Sequence, residues 1–333
     1  MPRFGLRSRP DGKRARSADH ARMPGTPLAE AGPIVVGIEH SDRSRDALAL
    51  ARTLARAVGS RLILVAVYPV AGRSAVMPPR AFVAARAEEA EAALEWVARP
   101  LAGVSASSRA VACTSVTRGL KDVAAEEGAL AIVVGPSHRG VLGQVVPGSV
   151  GERLLHSAPC PVAVAPKGYW SDPAMGRIRR IGLGFVATPE ADEALCAAIG
   201  IAVRTGAPIR AVSVVEPPSG GAAQMFSLHY DELERIARDD LTQSLQRTIG
   251  DVTSPVEISG EVVDGYADDE LARLSEDVDL LVCGSRGRGP LGRVMLGSVS
   301  AGLLRKARCP VLVIPRGAPD GFAHLRAPVV EAA

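Results

Sequence analysis

Three landmarks of this 333-residue chain recur at one spacing. Gly135 and Gly284, Gly148 and Gly297, and Cys160 and Cys309 are each 149 residues apart. A shared offset across three landmarks requires a tandem duplication, so whatever one half folds into the other must fold into as well. In the first half, apolar runs at Ile34–Ile38, Leu62–Val67, Ala110–Thr114, Leu130–Val134 and Pro161–Ala165 read as strands. Between them lie stretches with helical periodicity, of which Ala47, Leu48, Leu50, Ala51, Leu54 and Ala55 form the clearest apolar face. The second half repeats the pattern with strands at Ile181–Phe185, Ile209–Val215, Glu257–Val263, Asp279–Cys283 and Val311–Ile314. Its helices fall at Glu190–Arg204, Met225–Thr248 and Asp268–Glu276. Strands alternating with helices imply parallel pairing and right-handed crossovers, hence an α/β class.

Composition narrows the function classes. Residues 1–22 carry seven Lys/Arg against Asp11 and Asp19, a net +5, which leaves −2 for the rest of a chain whose total is +3. The repeated part is therefore near neutral and lacks the basic footprint of a nucleic-acid binder. The five cysteines lie far apart without a C-x-x-C pair, which argues against a disulfide framework or a zinc site and for a reducing, cytoplasmic setting. The six histidines show no H-E-x-x-H spacing, so no protein metal site is expected. No apolar run is long enough to cross a bilayer. Residues 1–32, rich in Arg, Pro, Gly and Ser, read as a disordered basic tail, and Met23 offers an alternative start of translation.

Chemistry concentrates in Leu280–Ile314, where an apolar run meets a Gly/Arg-rich loop, then a helix entered at Gly297-Ser298, then a second apolar run. A glycine loop beside a helix N-terminus exposes backbone N–H groups and favours an anion. The plainer alternative is a tight turn that needs glycine for its backbone angles alone. Arg286, Arg288 and Arg293 are charge-assisted donors in the first reading and solvated loop residues in the second.

The repeated unit resembles the universal stress protein family, in its tandem two-domain form. The resemblance is carried in the second half by Val278–Arg293 (VDLLVCGSRGRGPLGR), Leu296–Ser300 (LGSVS) and Arg308–Pro315 (RCPVLVIP). In the first half it is carried by Ile34–Ser41 (IVVGIEHS), Ala131–Gly143 (AIVVGPSHRGVLG), Gly148-Ser149-Val150 and Pro159–Pro166 (PCPVAVAP). It implies two doubly wound domains, 33–167 and 177–316, each a mostly parallel five-stranded sheet flanked by helices. A linker, 168–176, and a C-terminal tail, 317–333, complete the division. It also implies that Val162–Val164 and Val311–Ile314 pair as an intramolecular pseudo-dimer.

Its ATP-binding members mark competence with a G-x2-G-x9-G-[S/T] pattern. Carried over, Gly284, Gly287, Gly297 and Ser298 would surround the phosphates, with Cys283, Arg286 and Val299 beside them and Val214 lining the adenine. The first-half counterparts are Glu39, Val67, Gly135, Gly148, Ser149 and Val150. ATP with Mg is the implied ligand, with AMP or ADP as alternatives. The implied role is regulatory in the stress response, without dedicated catalysis, slow hydrolysis and a nucleotide-free interaction module being the alternatives. Association into a homodimer and a signalling protein partner are further implications.

Each half departs from that pattern. His138 replaces the second loop glycine of the first half, and Pro136 removes a donor N–H. Val186 replaces the acid that members carry after the first strand, a position where the first half keeps Glu39. The expectation is a nucleotide held mainly by the second half. A dinucleotide fingerprint, Gly182-x-Gly184-x-x-Ala187, also fits by letter, but both glycines fall inside a strand and Glu216 stands too far on for the ribose acid. Cys160 and Cys309, each before proline, read as small core residues. Cys283 borders the expected site, where a redox role competes with packing.

Overall fold

Ile34, Val35 and Val36 have no exposed surface, a burial that a strand reaches only when both sheet faces are covered. In the computed structural model, residues 31–70, 80–98, 103–172, 176–186, 188–217, 230–252, 254–285 and 297–315 are described. The first half runs β1 (Ile34–Gly37), α1 (Asp42–Val58), β2 (Leu62–Pro69), α2 (Arg80–Ala98), β3 (Ala106–Cys113), α3 (Val116–Glu126), β4 (Ala131–Val134), α4 (Ser149–Leu155) and β5 (Val162–Val164). The second runs β6 (Ile181–Gly184), α5 (Pro189–Thr205), β7 (Ile209–Val215), α6 (Tyr230–Gly250), β8 (Ile258–Asp264), α7 (Ala267–Asp277), β9 (Leu280–Gly284), α8 (Ser298–Lys306) and β10 (Val311–Ile314).

The ten strands form one sheet in the order β3-β2-β1-β4-β5-β10-β9-β6-β7-β8. Within each half all pairings are parallel, and the order reverses between the first strand and the fourth, as in doubly wound folds. At the centre β5 and β10 pair antiparallel, Val164 with Val311, Ala163 with Leu312 and Val162 with Val313. Both strands are buried throughout, so the expected intramolecular pairing is present as the spine of the molecule.

Alternation along the strands feeds two apolar layers. Ile34, Val36, Leu62 and Leu64 pack with α1 and α2, while Val35, Ile63 and Val65 pack with α3 and α4. Each layer continues across the seam into the second half, where α5 and Leu245 of α6 join the first and α7 and α8 join the second. Gly182 lies within β6, and a Cβ there would come 2.8 Å from Leu281 Cδ1 and 3.1 Å from Leu274. Its glycine serves close packing of that strand, as the sequence reading favoured over a dinucleotide loop.

One strand differs from expectation. β3 begins at Ala106, four residues before the expected Ala110, and its first four residues are exposed. It is the outermost strand, so Ser107, Ser108 and Arg109 need no core to face, and the ladder with Leu62–Pro69 defines them instead. The expected start of the long second-half helix, 225–229, lies outside the described residues, as do the two tails through residues 1–30 and 316–333.

The segment joining the halves is docked against α1. Asp46, 2 % exposed, accepts the N–H of Gly168 at Oδ2 and of Trp170 at Oδ1, both at 3.0 Å. Gly168 has φ 82°, a left-handed angle that glycine takes at little cost, and it opens a short 3₁₀ turn at Tyr169–Ser171. Arg45 lies between two indoles, its guanidinium carbon 4.5 Å from the Trp96 ring centre and 5.1 Å from that of Trp170. On the far side, Asp279 accepts the N–H groups of Arg179 at 2.7 Å and Arg180 at 3.0 Å, fixing the entry to β6.

Leu312→Ala, at a position with no exposure on the central seam, should lower the unfolding free energy by about 2–5 kcal/mol. Because both layers cross the seam, fluorescence from Trp96 and Trp170, in the first half and the joining segment, and far-UV circular dichroism from the whole chain should lose signal in one coincident urea transition. Separate midpoints would show that the halves unfold independently. Burial raises the Asp46 pKa above the ordinary 3.8, with the N–H bonds from Trp170 and Gly168 pulling the other way. A carboxyl raised on folding contributes stability that is fully present below its unfolded pKa and is lost as pH rises through the folded one. Wild type should therefore gain stability relative to Asp46→Asn as the pH falls from about 7 to about 4. Urea denaturation at both ends reads this out, and a constant difference would contradict it. Asp46→Ala, which strands both N–H groups, should cost about 1–3 kcal/mol per unsatisfied donor at neutral pH.

Candidate functional site

Where β6, β7 and β9 end, the second half opens a cleft of about 240 Å³. Open α/β sheets place ligands at these carboxyl ends, where the strand order reverses. The floor is apolar: Phe185 after β6, Val212 in β7, Cys283 in β9, Leu271 of α7 and Leu303 of α8 are all at most 7 % exposed. Val214 and Glu216 continue the face begun by Val212, because alternate residues of an extended chain point the same way. Gly184, Val186, Thr188 and Ala191 close the side toward α5, and Gly284, Val299 and Ser300 close the side toward α8.

Three polar side chains reach this apolar cup. Ser300 donates from Oγ to the Gly284 carbonyl at 3.2 Å, tying the first turn of α8 to the end of β9. Glu216 accepts the Ala267 N–H at Oε1, 2.9 Å, and so satisfies a donor in the first turn of α7. Thr188 is the residue before α5 and makes no side-chain cap. Burial pushes the Cys283 thiol up to about 12, opposed by the hydrogen bond with Ser300. A thiol so raised stays protonated at neutral pH and is a poor nucleophile, which favours packing over the redox role. Among the described residues no group of His, Cys, Asp and Glu is arranged to hold a metal.

Of the second-half residues singled out from sequence, Val214, Cys283, Gly284 and Val299 come together around this cleft. Gly297 and Ser298 form the N-cap and first residue of α8, immediately before Val299 and Ser300 in its first turn, without lining the cup themselves. Arg286 and Gly287, with Arg288 and Arg293, lie outside the described residues. Sequence reading passed over Phe185, Thr188 and Ser300, and weighed Glu216 only as a dinucleotide acid. The period-two row Val212, Val214, Glu216 was the signal that would have placed Glu216 on the cleft face.

The first half is built differently at the same place. Glu39 is engaged locally: Oε1 accepts from Ser41 Oγ and pairs with Arg43 Nη2, both at 2.7 Å. A Cβ on Gly135 would collide with the Arg43 carbonyl, so α1 lies directly over the end of β4. Val67 fills against α3, its two methyls 2.9 Å from where a Gly119 Cβ would stand. Gly148 caps α4, whose first residues are Ser149 and Val150.

Between Gly135 and Gly148 the loop is tied down by backbone bonds. Pro136 bridges to Pro147, the Ser137 N–H donates to the Val146 carbonyl at 2.5 Å, and the Gly143 N–H donates to the Lys167 carbonyl at 2.8 Å. Lys167 Nζ donates to the carbonyls of Gly140 at 2.7 Å and His138 at 3.4 Å. Val145, fully buried, donates its N–H to the Ala307 carbonyl at the end of α8 at 3.1 Å. This loop therefore fastens the first half to the joining segment and to the second half.

Comparison with known proteins agrees with this architecture. The model of the universal stress protein family matches residues 31–166 and again 177–315. The universal stress protein Rv2319c of Mycobacterium tuberculosis is 32% identical over 242 residues, covering 70% of this chain and 79% of that protein. Another from the same organism, Rv2005c, is 32% identical over 193 residues, 55% of this chain and 60% of its own length. Among solved structures, a universal stress protein from Archaeoglobus fulgidus superimposes with a TM-score of 0.60 at 21% identity, over 86% of this chain and 98% of that one, a likeness of fold. With both halves matched in full and the same doubly wound unit on each side of the seam, the chain belongs to the universal stress protein family.

Proposed function

We propose that the second half binds an adenine nucleotide, ATP with Mg being the implied form and ADP or AMP the alternatives, and that the protein acts as a regulatory binder in the stress response. The observation that carries the proposal is the cleft itself: an apolar cup at the strand ends, one carboxylate at its rim, and a helix N-terminus beside it. Its volume of about 240 Å³ falls just under the roughly 300–1,000 Å³ usual for small-ligand sites. That size suits a base and ribose, with the phosphates extending toward Ser285 and the start of α8. Val214, Phe185 and Leu271 supply flat and branched apolar walls for a base. Glu216 keeps a carboxylate on the cleft face although Val186 has none, and it is the acceptor available to a ribose hydroxyl. The N-terminus of α8, reached through Gly297 and Ser298, carries the positive end of a helix dipole for a phosphate.

On this reading the first half holds no second nucleotide, in keeping with a Glu39 that is paired with Arg43 and a Gly135 that lies against the Arg43 backbone. A regulatory role fits the polar equipment of the cleft, since Glu216 already accepts a backbone N–H and the Cys283 thiol is held protonated. Mg, when bound with the nucleotide, would neutralise phosphate charge. Ser298, the first residue of α8, offers a hydroxyl oxygen at that helix end.

The expected stoichiometry is one nucleotide per chain, measured by isothermal titration with Mg-ATP and by identifying any nucleotide that co-purifies. At 100 times its dissociation constant, ATP should add roughly 2.7 kcal/mol to the unfolding free energy. A chain that purifies empty and gives neither heat nor thermal shift would turn the reading to a nucleotide-free interaction module. Saturable release of phosphate above background would turn it to a slow hydrolase. Gly297→Glu, which sets a negative charge at the α8 N-cap, should abolish binding while leaving the unfolding curve close to wild type, and retained affinity would remove that helix from the site. Val214→Trp, which fills the cup, should weaken all adenine nucleotides alike.

A further inference from the structure

Between the first turns of α3 and the end of α4, the first half carries a second recess of about 570 Å³, open to solvent. Thr117, Arg118 and Lys121 of α3 face Arg153 of α4 and His156 and Ser157 just beyond it. Thr117 is only 7 % exposed, and its Oγ1 is buried without a hydrogen-bond partner. A buried hydroxyl in that condition is costly, and an ordered water or an ion commonly satisfies one. The first turn of α3 holds no acid, although a helix N-terminus favours negative charge, and Ser115 supplies only one cap bond, accepting the Arg118 N–H at 3.5 Å.

The duplication provides the comparison. Counting from the N-caps Ser115 and Tyr266, Thr117 and Arg118 stand in register with Asp268 and Asp269. The same count pairs buried Leu120 with Leu271 and Val123 with Leu274, which supports the register. The 149-residue offset pairs Ser157 with Lys306. In the second half Lys306 Nζ spans this groove to Asp268 at 2.6 Å and Asp269 at 2.7 Å. That groove thus places two carboxylates at its helix N-terminus. The first half has lost both, keeps Arg118, Lys121 and Arg153, and holds Asp122 as a lining acid, itself 3.5 Å from Arg118 Nε on an exposed face.

We propose that this first-half recess binds a phosphate-type oxyanion in the place that the Asp268 and Asp269 carboxylates occupy in the second half. The α3 N-terminus and Arg118, Lys121 and Arg153 supply the positive charge. Thr117 lines the recess at the same turn, with a hydroxyl that has no partner among the described residues. The site is separate from the nucleotide cleft and stands whether or not that cleft binds ATP.

The test is isothermal titration of inorganic phosphate into the full chain at low ionic strength, where an exposed site is least screened. Lys121→Glu with Arg153→Glu should weaken phosphate by about tenfold or more. Arg305→Glu with Arg308→Glu, the same change of net charge on the exposed surface of the second half, should leave it unchanged. Thr117→Asp with Ser157→Lys rebuilds the second-half bridge and should abolish phosphate binding while raising the melting temperature. Absence of binding by wild type, equal loss in the Arg305/Arg308 control, or full affinity in the rebuilt variant would each overturn the proposal.

Discussion

The antiparallel ladder between β5 and β10 is the interaction on which the rest depends. Each half alone would end its sheet in an exposed, wholly apolar strand, Val162–Val164 or Val311–Ile314, the kind of edge that recruits other chains. Pairing the two removes both edges at once and carries both apolar layers across the molecule. The remaining edges, β3 and β8, are the partly exposed ones, and β3 carries Ser107, Ser108 and Arg109 where an inner strand would carry valine. The sheet is thus apolar where it is covered and polar where it stops.

From that frame the two halves part company. In the second, the end of β9 and the start of α8 leave a cleft, with Glu216 and Ser300 holding its helices in position through single hydrogen bonds. In the first, Arg43 closes over Gly135 and the following loop becomes a fastening, bound to Lys167 and Ala307. Losing a loop glycine at His138 and gaining Pro136 fits this change, since neither residue hinders a loop whose partners are backbone groups of its own chain. The charge on the outer helices also diverges, from an internal Asp–Lys bridge to a recess rich in basic residues.

Much of this was legible in the sequence, for identifiable reasons. Buried parallel strands leave nearly uninterrupted apolar runs, so β1, β2, β4, β9 and β10 stand out, and the common 149-residue offset fixed the duplication. Strand β3 began earlier than expected because an edge strand is defined by its neighbour's ladder more than by its own apolar pattern. Val214, Cys283, Gly284 and Val299 were found because they sit on regular elements next to a motif. Phe185, Thr188 and Ser300 were missed because they join the cleft only through tertiary packing. The tie from Val145 to Ala307 was invisible for a similar reason: backbone carbonyls and N–H groups carry no residue signature, so a long-range bond between them leaves no mark on the letters.

The seam has a consequence for how such a molecule can change. When two identical chains meet along a strand, every substitution appears twice, once on each side of the two-fold axis, and damage to one site is damage to both. Here the two sides are encoded separately and are always present together at fixed proximity, whatever the protein's concentration. Symmetry of the scaffold is kept by the buried strands, while symmetry of the surface is no longer enforced. That permits His138 on one side and the glycine-rich sequence on the other, and an open cleft and a structural clasp at matching places in the two halves.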